Sequence, residues 1–190
     1  MRRAAMGWAA RGERRRKNAV RLFVAILFPK NIREELSDSM RRLRAQGVRG
    51  NFSRDENLHL TLAFLGETED LEGACRAVDS VDAAPFRLSF AGSGAFGDIL
   101  WTGISDSPQL RSCVRTLRAA LRERGVWFDS KPFRPHVTLV RRASGAEGVK
   151  IPVPKTPFTV SRISLMRSER TEGGRLIYTE AYGADLLGGR

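Results

Sequence analysis

The chain has 190 residues, 42% hydrophobic and 28% charged, which suits one substantial core or two small lobes sharing a cleft. Its longest apolar run, residues 22–28, is strand-sized, far short of the roughly 18 apolar residues that a membrane span needs. The formal charge of +12 is uneven, because residues 1–21 hold eight Arg/Lys against one acid and so carry +7 of it.

Residues 1–19 therefore read as a basic arm ahead of a single domain over residues 20–190. The arm lacks the apolar segment of a secretory signal. It reads as a disordered tail, or as an over-long start with Met6 or a later codon used instead. Against that stands a basic arm that contacts RNA phosphates.

From residue 20 the elements follow in order. VRLFVAILF, residues 20–28, is a β-branched and aromatic strand. A helix follows, with Asn31 and Glu34 spaced as cap and N3 partner. Its apolar stripe is Ile32, Leu36, Met40 and Leu43, and Gly47 sits where a left-handed C′ residue belongs. The segment around Phe52 leads into a strand at residues 57–66, and Thr68 then opens a helix with Glu69, Asp70 and Glu72 in its first turn.

The second half repeats this plan. Residues 99–104 form a strand, Ser107-Pro108 a cap with proline at N1, and Leu110, Val114, Leu117 and Leu121 a helical stripe stopped by Gly125. LRAQGV at 43–48 matches LRERGV at 121–126 with an offset of 78. Two tail strands are expected at 158–166 and 176–182, joined by a turn at Gly173-Gly174. The proline-rich stretch 151–157 is a surface loop. Gly92, Gly94 and Gly97 spell G-x-G-x-x-G, but a strand and not a helix follows. The dinucleotide context fails, and these glycines are expected to form a turn between lobes.

NLHLTLAFLG, residues 57–66, places a histidine and a threonine inside a strand otherwise suited to a core. Strict alternation sends Leu58, Leu60, Leu62 and Phe64 to one face and His59, Thr61, Ala63 and Leu65 to the other. A lone histidine there is most simply a satisfied core residue. The chain's one other histidine, in PHVTLVR at 135–141, is also followed by any residue, a threonine and a leucine. With nine threonines in the chain, two such coincidences have odds on the order of one in four hundred. His59 and His136 are offset by 77, so helix, glycine stop and His-x-Thr-Leu strand occur twice in one order. This is an internal duplication, with each copy supplying half of a site.

The expected fold is α+β, with two pseudo-symmetric lobes, each an antiparallel sheet backed by helices. The histidine strands would face each other across the groove between them. On each strand His and Thr point the same way, about 6.6 Å apart. Two imidazoles and two hydroxyls around one small volume suit a phosphodiester, with threonines donating to non-bridging oxygens and imidazoles handling protons. An imidazole pKa near 6.5 lets one ring be neutral and the other protonated. Cys75 and Cys113 fall in predicted helices without the spacing of a disulfide framework or zinc site. No metal and no cofactor are expected, and a reducing cytoplasm is the natural compartment.

NLHLTLAFLGE together with KPFRPHVTLVR resembles the two-histidine phosphoesterase superfamily, and within it the RNA 2′,3′-cyclic phosphodiesterases, often labelled 2′-5′ RNA ligases. The similarity runs over nearly the whole chain from Arg21, including RLFVAI and LWTG. The resemblance implies a bilobal fold and metal-free hydrolysis of a terminal 2′,3′-cyclic phosphate to a 2′-phosphate. It carries onto His59 and Thr61, His136 and Thr138, and an arginine that falls on Arg141. By the same analogy His59 is the general acid and His136 the general base; sequence alone does not order these roles. Strict alternation would place Val140 and Arg142, not Arg141, on the face of His136. Either the strand bulges or ends there, or Arg142 takes the role, and the resemblance favours Arg141.

The expected partners are RNA with 2′,3′-cyclic phosphate ends or cyclic nucleotides, with no membrane and a monomeric chain. The alternatives are 2′-5′ ligation in the same site and a non-catalytic nucleotide- or RNA-binding module. Two intact histidine motifs argue against pure binding, for which Lys or Arg would serve.

Overall fold

A computed structural model of the chain describes residues 19–188. The basic arm, apart from Ala19, lies outside the described residues.

Two four-stranded antiparallel sheets dominate. The first has the order β10-β9-β1-β3, built from β1 (Val20–Leu27), β3 (His59–Thr68), β9 (Arg162–Arg170) and β10 (Leu176–Asp185). The second has the order β2-β7-β6-β5, from β2 (Arg49–Phe52), β5 (Phe90–Phe96), β6 (Ile99–Ile104) and β7 (His136–Ser144). A two-stranded ribbon pairs β4 (Phe86–Leu88) with β8 (Phe158–Val160). The helices are α1 (Lys30–Ala45), α2 (Leu71–Asp79) and α3 (Pro108–Glu123). The α+β, two-sheet architecture is the expected one.

The two halves exchange parts. β2 follows α1 in the first half but pairs with β7 of the second, α1 packs on β7, and α3 packs on β3. One continuous apolar core therefore runs under both sheets, from Leu22, Ile32 and Leu60 to Leu117, Leu121 and Leu139. β1 is apolar on both sides for a related reason. Leu22, Val24 and Ile26 enter this core, while Phe23 and Ala25 join Met166 in a small second cluster on the groove side.

Both long helices bury the predicted stripes and end at Gly47 and Gly125, whose φ values of +89° and +69° require glycine's freedom. Their starts differ. Ser107 Oγ accepts from the Leu110 N–H at 3.2 Å, as its sequence position predicts. Helix α1, however, begins one residue before Asn31. Its cap is Pro29, whose extended backbone presents its carbonyl to the N–H groups of Ile32 and Arg33, both at 3.1 Å. Helix α2 is capped by Asp70, whose Oδ1 accepts from Gly73 at 2.8 Å, while Thr68 remains the last residue of β3.

Two further expectations are corrected. Residues 158–166 are not one strand: the chain breaks at Ser161, whose carbonyl accepts from Leu186, so β8 and β9 join different sheets. Gly92 and Gly94 lie within β5 and Gly97 turns the β5–β6 hairpin, so they make no inter-lobe turn. A Cβ on Gly94 would meet the Trp101 ring at 2.7 Å, which accounts for glycine there. The 151–157 stretch is a loop without regular structure, as expected, strapped to α1 by the Glu35 carboxylate, which accepts from Lys155 and Thr156, with Pro154 its one buried residue.

Candidate active site

The two His-x-Thr strands meet. β3 touches β7, and His59, Thr61, His136, Thr138 and Arg141 all line one cavity of about 510 Å³. Strand alternation alone does not produce this set.

β3 carries two irregularities against β1, between Ala63 and Thr61 and between Gly66 and Phe64, so Leu62 and Leu65 each become an extra residue. Each bulge resets the alternation. As a result Leu65 is fully buried and Phe64 turns toward the Phe23–Ala25–Met166 cluster, the reverse of the faces expected for that pair. On β7 the pairing with β6 skips Leu139, and the pairing with β2 slips again between Arg141 and Ser144, where Arg142 takes φ +52°. Ser53 secures the first of these, its Oγ donating to the Thr138 carbonyl at 2.7 Å and its N–H to the Leu139 carbonyl at 2.8 Å. The strand bulges, and of Arg141 and Arg142 it is Arg141 that lines the cavity.

Both imidazoles are held by one device. His59 Nδ1 lies 2.7 Å from the Asn57 carbonyl, and His136 Nδ1 lies 2.7 Å from the Arg134 carbonyl. A carbonyl only accepts, so each neutral ring carries its proton on Nδ1 and keeps the Nε2 lone pair free. Aromatic walls complete each seat. His59 packs at 4.7 Å from Phe23 and 5.3 Å from Tyr178, and His136 at 5.1 Å from Phe96 and 6.2 Å from Trp101. Trp101 belongs to the strand equivalent to that of Phe23, with the same offset of 78 that relates the helices.

Burial between those rings pushes His59 down to about 4, helped by the charges of Arg141 and His136 and opposed by the Asn57 carbonyl. Burial likewise pushes the Tyr178 phenol up, against the pull of Arg141, so it stays a neutral donor. None of the described residues lining the cavity is a carboxylate, whereas Arg54, Arg141, Arg170 and Arg175 all do so. The electrostatics suit an anion. Among the described residues no group of three or more His, Cys, Asp or Glu is placed to hold a metal ion, and no helix is long and apolar enough to cross a membrane.

The sequence reading missed Asn57, Phe23, Tyr178, Phe96 and the arginines of β9 and the β9–β10 turn. Asn57 could have been found from the duplication, since it stands two residues before its histidine as Arg134 does. Tyr178 has no local signal, because it reaches the groove only through the pairing of β10 with β9.

The profile of the 2′-5′ RNA ligase superfamily matches residues 28–172. The RNA 2′,3′-cyclic phosphodiesterase of Escherichia coli is 32% identical over 166 residues, which cover 84% of this chain and 92% of that protein. The protein of the same name from Geobacillus stearothermophilus is 35% identical over 129 residues, but these span only 41% of its length and 60% of this chain. Among solved structures, Escherichia coli LigT complexed with 3′-AMP superposes with a TM-score of 0.75 at 30% identity, covering 90% of this chain and 99% of that one. The TT0787 protein of Thermus thermophilus gives 0.74 at 29% identity, covering 90% and 100%. With this match and both histidine motifs lining one cavity, the chain belongs to the 2′-5′ RNA ligase superfamily.

Proposed function

We propose that the chain hydrolyses RNA 2′,3′-cyclic phosphodiester ends to 2′-phosphates by metal-free acid–base catalysis with His59 and His136. The observation that carries this reading is the matched pair of imidazoles, each tied through Nδ1 to a carbonyl at 2.7 Å and each lining one carboxylate-free, arginine-bearing cavity. The similarity to proteins named RNA 2′,3′-cyclic phosphodiesterase supports the substrate.

The phosphodiester sits between the strands, with its non-bridging oxygens on the Thr61 and Thr138 hydroxyls and the Arg141 guanidinium. His136 Nε2 takes a proton from water as it attacks phosphorus, and His59 delivers one to the departing O3′. The bond to O2′ remains, giving a 2′-phosphate and a free 3′-hydroxyl. His59 is neutral in the empty cavity, so the acid role depends on the substrate: the phosphodiester anion offsets the Arg141 charge and raises the imidazole pKa.

The neutrality of His59 favours one alternative, in which it is the base and His136 the acid. A cyclic substrate with sulfur as the 3′ leaving atom separates the two. Sulfur needs no proton to leave, so this substrate rescues the variant lacking the acid and not the variant lacking the base. A reducing cytoplasm belongs to the same proposal, supported by free Cys75 and Cys113, and so does monomeric action, for which a solution mass of one chain is expected.

The deciding experiment is incubation with a 2′,3′-cyclic oligoribonucleotide in the presence of EDTA. A 2′-phosphate product is expected. Abolition by the chelator with rescue by a divalent ion would overturn the mechanism. A joined 2′-5′ product from a 5′-hydroxyl RNA would identify the reverse reaction.

A further inference from the structure

His59 takes its Nδ1 partner from the backbone of Asn57, a service any residue could perform, as Arg134 does for His136. The Asn57 side chain does something further. Its Nδ2 donates to the carbonyl of Leu176 at 3.2 Å, a bond that joins residues 119 apart in the chain. The orientation of the amide follows, because the reverse would set Oδ1 against a carbonyl oxygen. Oδ1 is buried and has no partner among the described residues. An alanine would leave no such acceptor stranded, so the Nδ2 bond is what the amide contributes.

Leu176 opens β10, and Tyr178 follows two residues on. Arg175 already gives its carbonyl to the Thr171 N–H at 2.9 Å, and the alternation of the ladder then turns the Leu176 carbonyl outward. β10 is the outer strand of its sheet, with no strand beyond it among the described residues to take that carbonyl. Asn57 takes it instead. The Tyr178 ring on the stretch fixed in this way stands 5.3 Å from His59 and 4.9 Å from Phe23. The 3₁₀ turn that carries Asn57, Asp55–Asn57, is anchored from elsewhere, because Asp55 accepts from Arg33 at 3.0 Å and from Ser37 at 3.2 Å, both on α1. Glu56 and Arg175, 3.0 Å apart, form a second tie between turn and hairpin, but more than half of each side chain is exposed. Water and salt weaken such a pair, and the half-buried amide is the shielded tie.

Resting on the activity proposed above, we infer that Asn57 is a positioning residue for catalysis: its side-chain amide clamps the Tyr178 stretch of β10 against the His59 ring. The Asn57 carbonyl fixes the ring through Nδ1, and the amide keeps the aromatic wall closed beside it. With the clamp released, the ring gains room to tilt and water at its side. Small displacements of a proton-transferring group cost rate steeply.

The test is Asn57→Ala in the full chain. The backbone carbonyl remains, held in place by the Asp55 contacts, and only the clamp is lost. On a 2′,3′-cyclic mononucleotide kcat should fall about tenfold or more while KM stays within about twofold. In a His136→Asn background the single imidazole midpoint should rise from about 4 toward the ordinary 6.5, because burial is the largest force holding it down. Asn57→Asp keeps the shape and loses the donor, and should show a similar fall in kcat. Tyr178→Ala removes the wall itself, so adding Asn57→Ala to it should cost little more. A raised KM with unchanged kcat would make Asn57 a substrate ligand and overturn the inference, as would full kcat in Asn57→Asp or losses that simply add to those of Tyr178→Ala. Turnover absent from every protein, with the midpoint still raised by Asn57→Ala, would refute the proposed activity and leave the clamp standing; a midpoint unmoved by Asn57→Ala would refute the clamp.

Discussion

His59 supplies the sharpest test of the site, because its environment sets both a protonation state and a free energy. The ring is packed between Phe23 and Tyr178, near the charges of Arg141 and His136, and titrates near pH 4 in place of its ordinary 6.5. That gap corresponds to about 3 kcal/mol. Its sign follows from proton binding. The unfolded chain takes up the proton below about pH 6.5 and the folded chain only below about 4. The corresponding stability is thus full above 6.5 and lost progressively as the pH falls to about 4. A His59→Gln variant lacks this titration, so the wild type should lose about 3 kcal/mol more than the variant between pH 7 and pH 4 in denaturant unfolding.

The same gap bears on catalysis. At pH 7 about one free molecule in a thousand carries a protonated His59. An anion that returns the ring to its ordinary value must bind the protonated form roughly 300-fold more tightly than the neutral one. The chain has two histidines, so a His136→Asn variant leaves a single imidazole resonance to follow by NMR. It also removes only the smallest of the forces acting on the ring. The midpoint should lie near 4 in the free protein and move upward on saturation with a non-hydrolysable phosphodiester, whose charge is constant over the range. A free-protein midpoint at 6.5 or above, or one that the anion leaves unmoved, refutes the desolvation argument.

His59→Ala and His136→Ala should each lower kcat by roughly 10²–10⁴-fold with little change in Tm near neutral pH, while Thr61→Val and Thr138→Val should cost less because a hydroxyl donates a hydrogen bond and transfers no proton. Mild, equal losses at both histidines with a large fall in Tm would mark them as packing residues. Deleting residues 1–19 should leave turnover of a cyclic mononucleotide unchanged, since every proposed site residue lies beyond them; loss of that turnover would move the domain boundary into the arm.

The sequence by itself determined the parts of this protein whose signals are local. His-x-Thr puts two side chains on one strand face whatever the strand pairs with, and its second occurrence 77 residues on made the duplication and the paired site legible. The stripes of α1 and α3 and their glycine stops were legible for the same reason: each is a matter of spacing within one element. Tertiary structure decided whatever depends on a partner. The β3 bulges that exchange the faces of Phe64 and Leu65 are defined by pairing with β1, and the slips that bring Arg141 into the cavity by pairing with β6 and β2. The crossing of β2 and α1 into the other half arises because the two halves complete one core together and not two. Tyr178 and Phe23 become walls of the site only when β10, β9, β1 and β3 lie side by side. The protonation state of His59 belongs to this second group, because desolvation is the sum of what surrounds a group in space, and no neighbour in the chain records it.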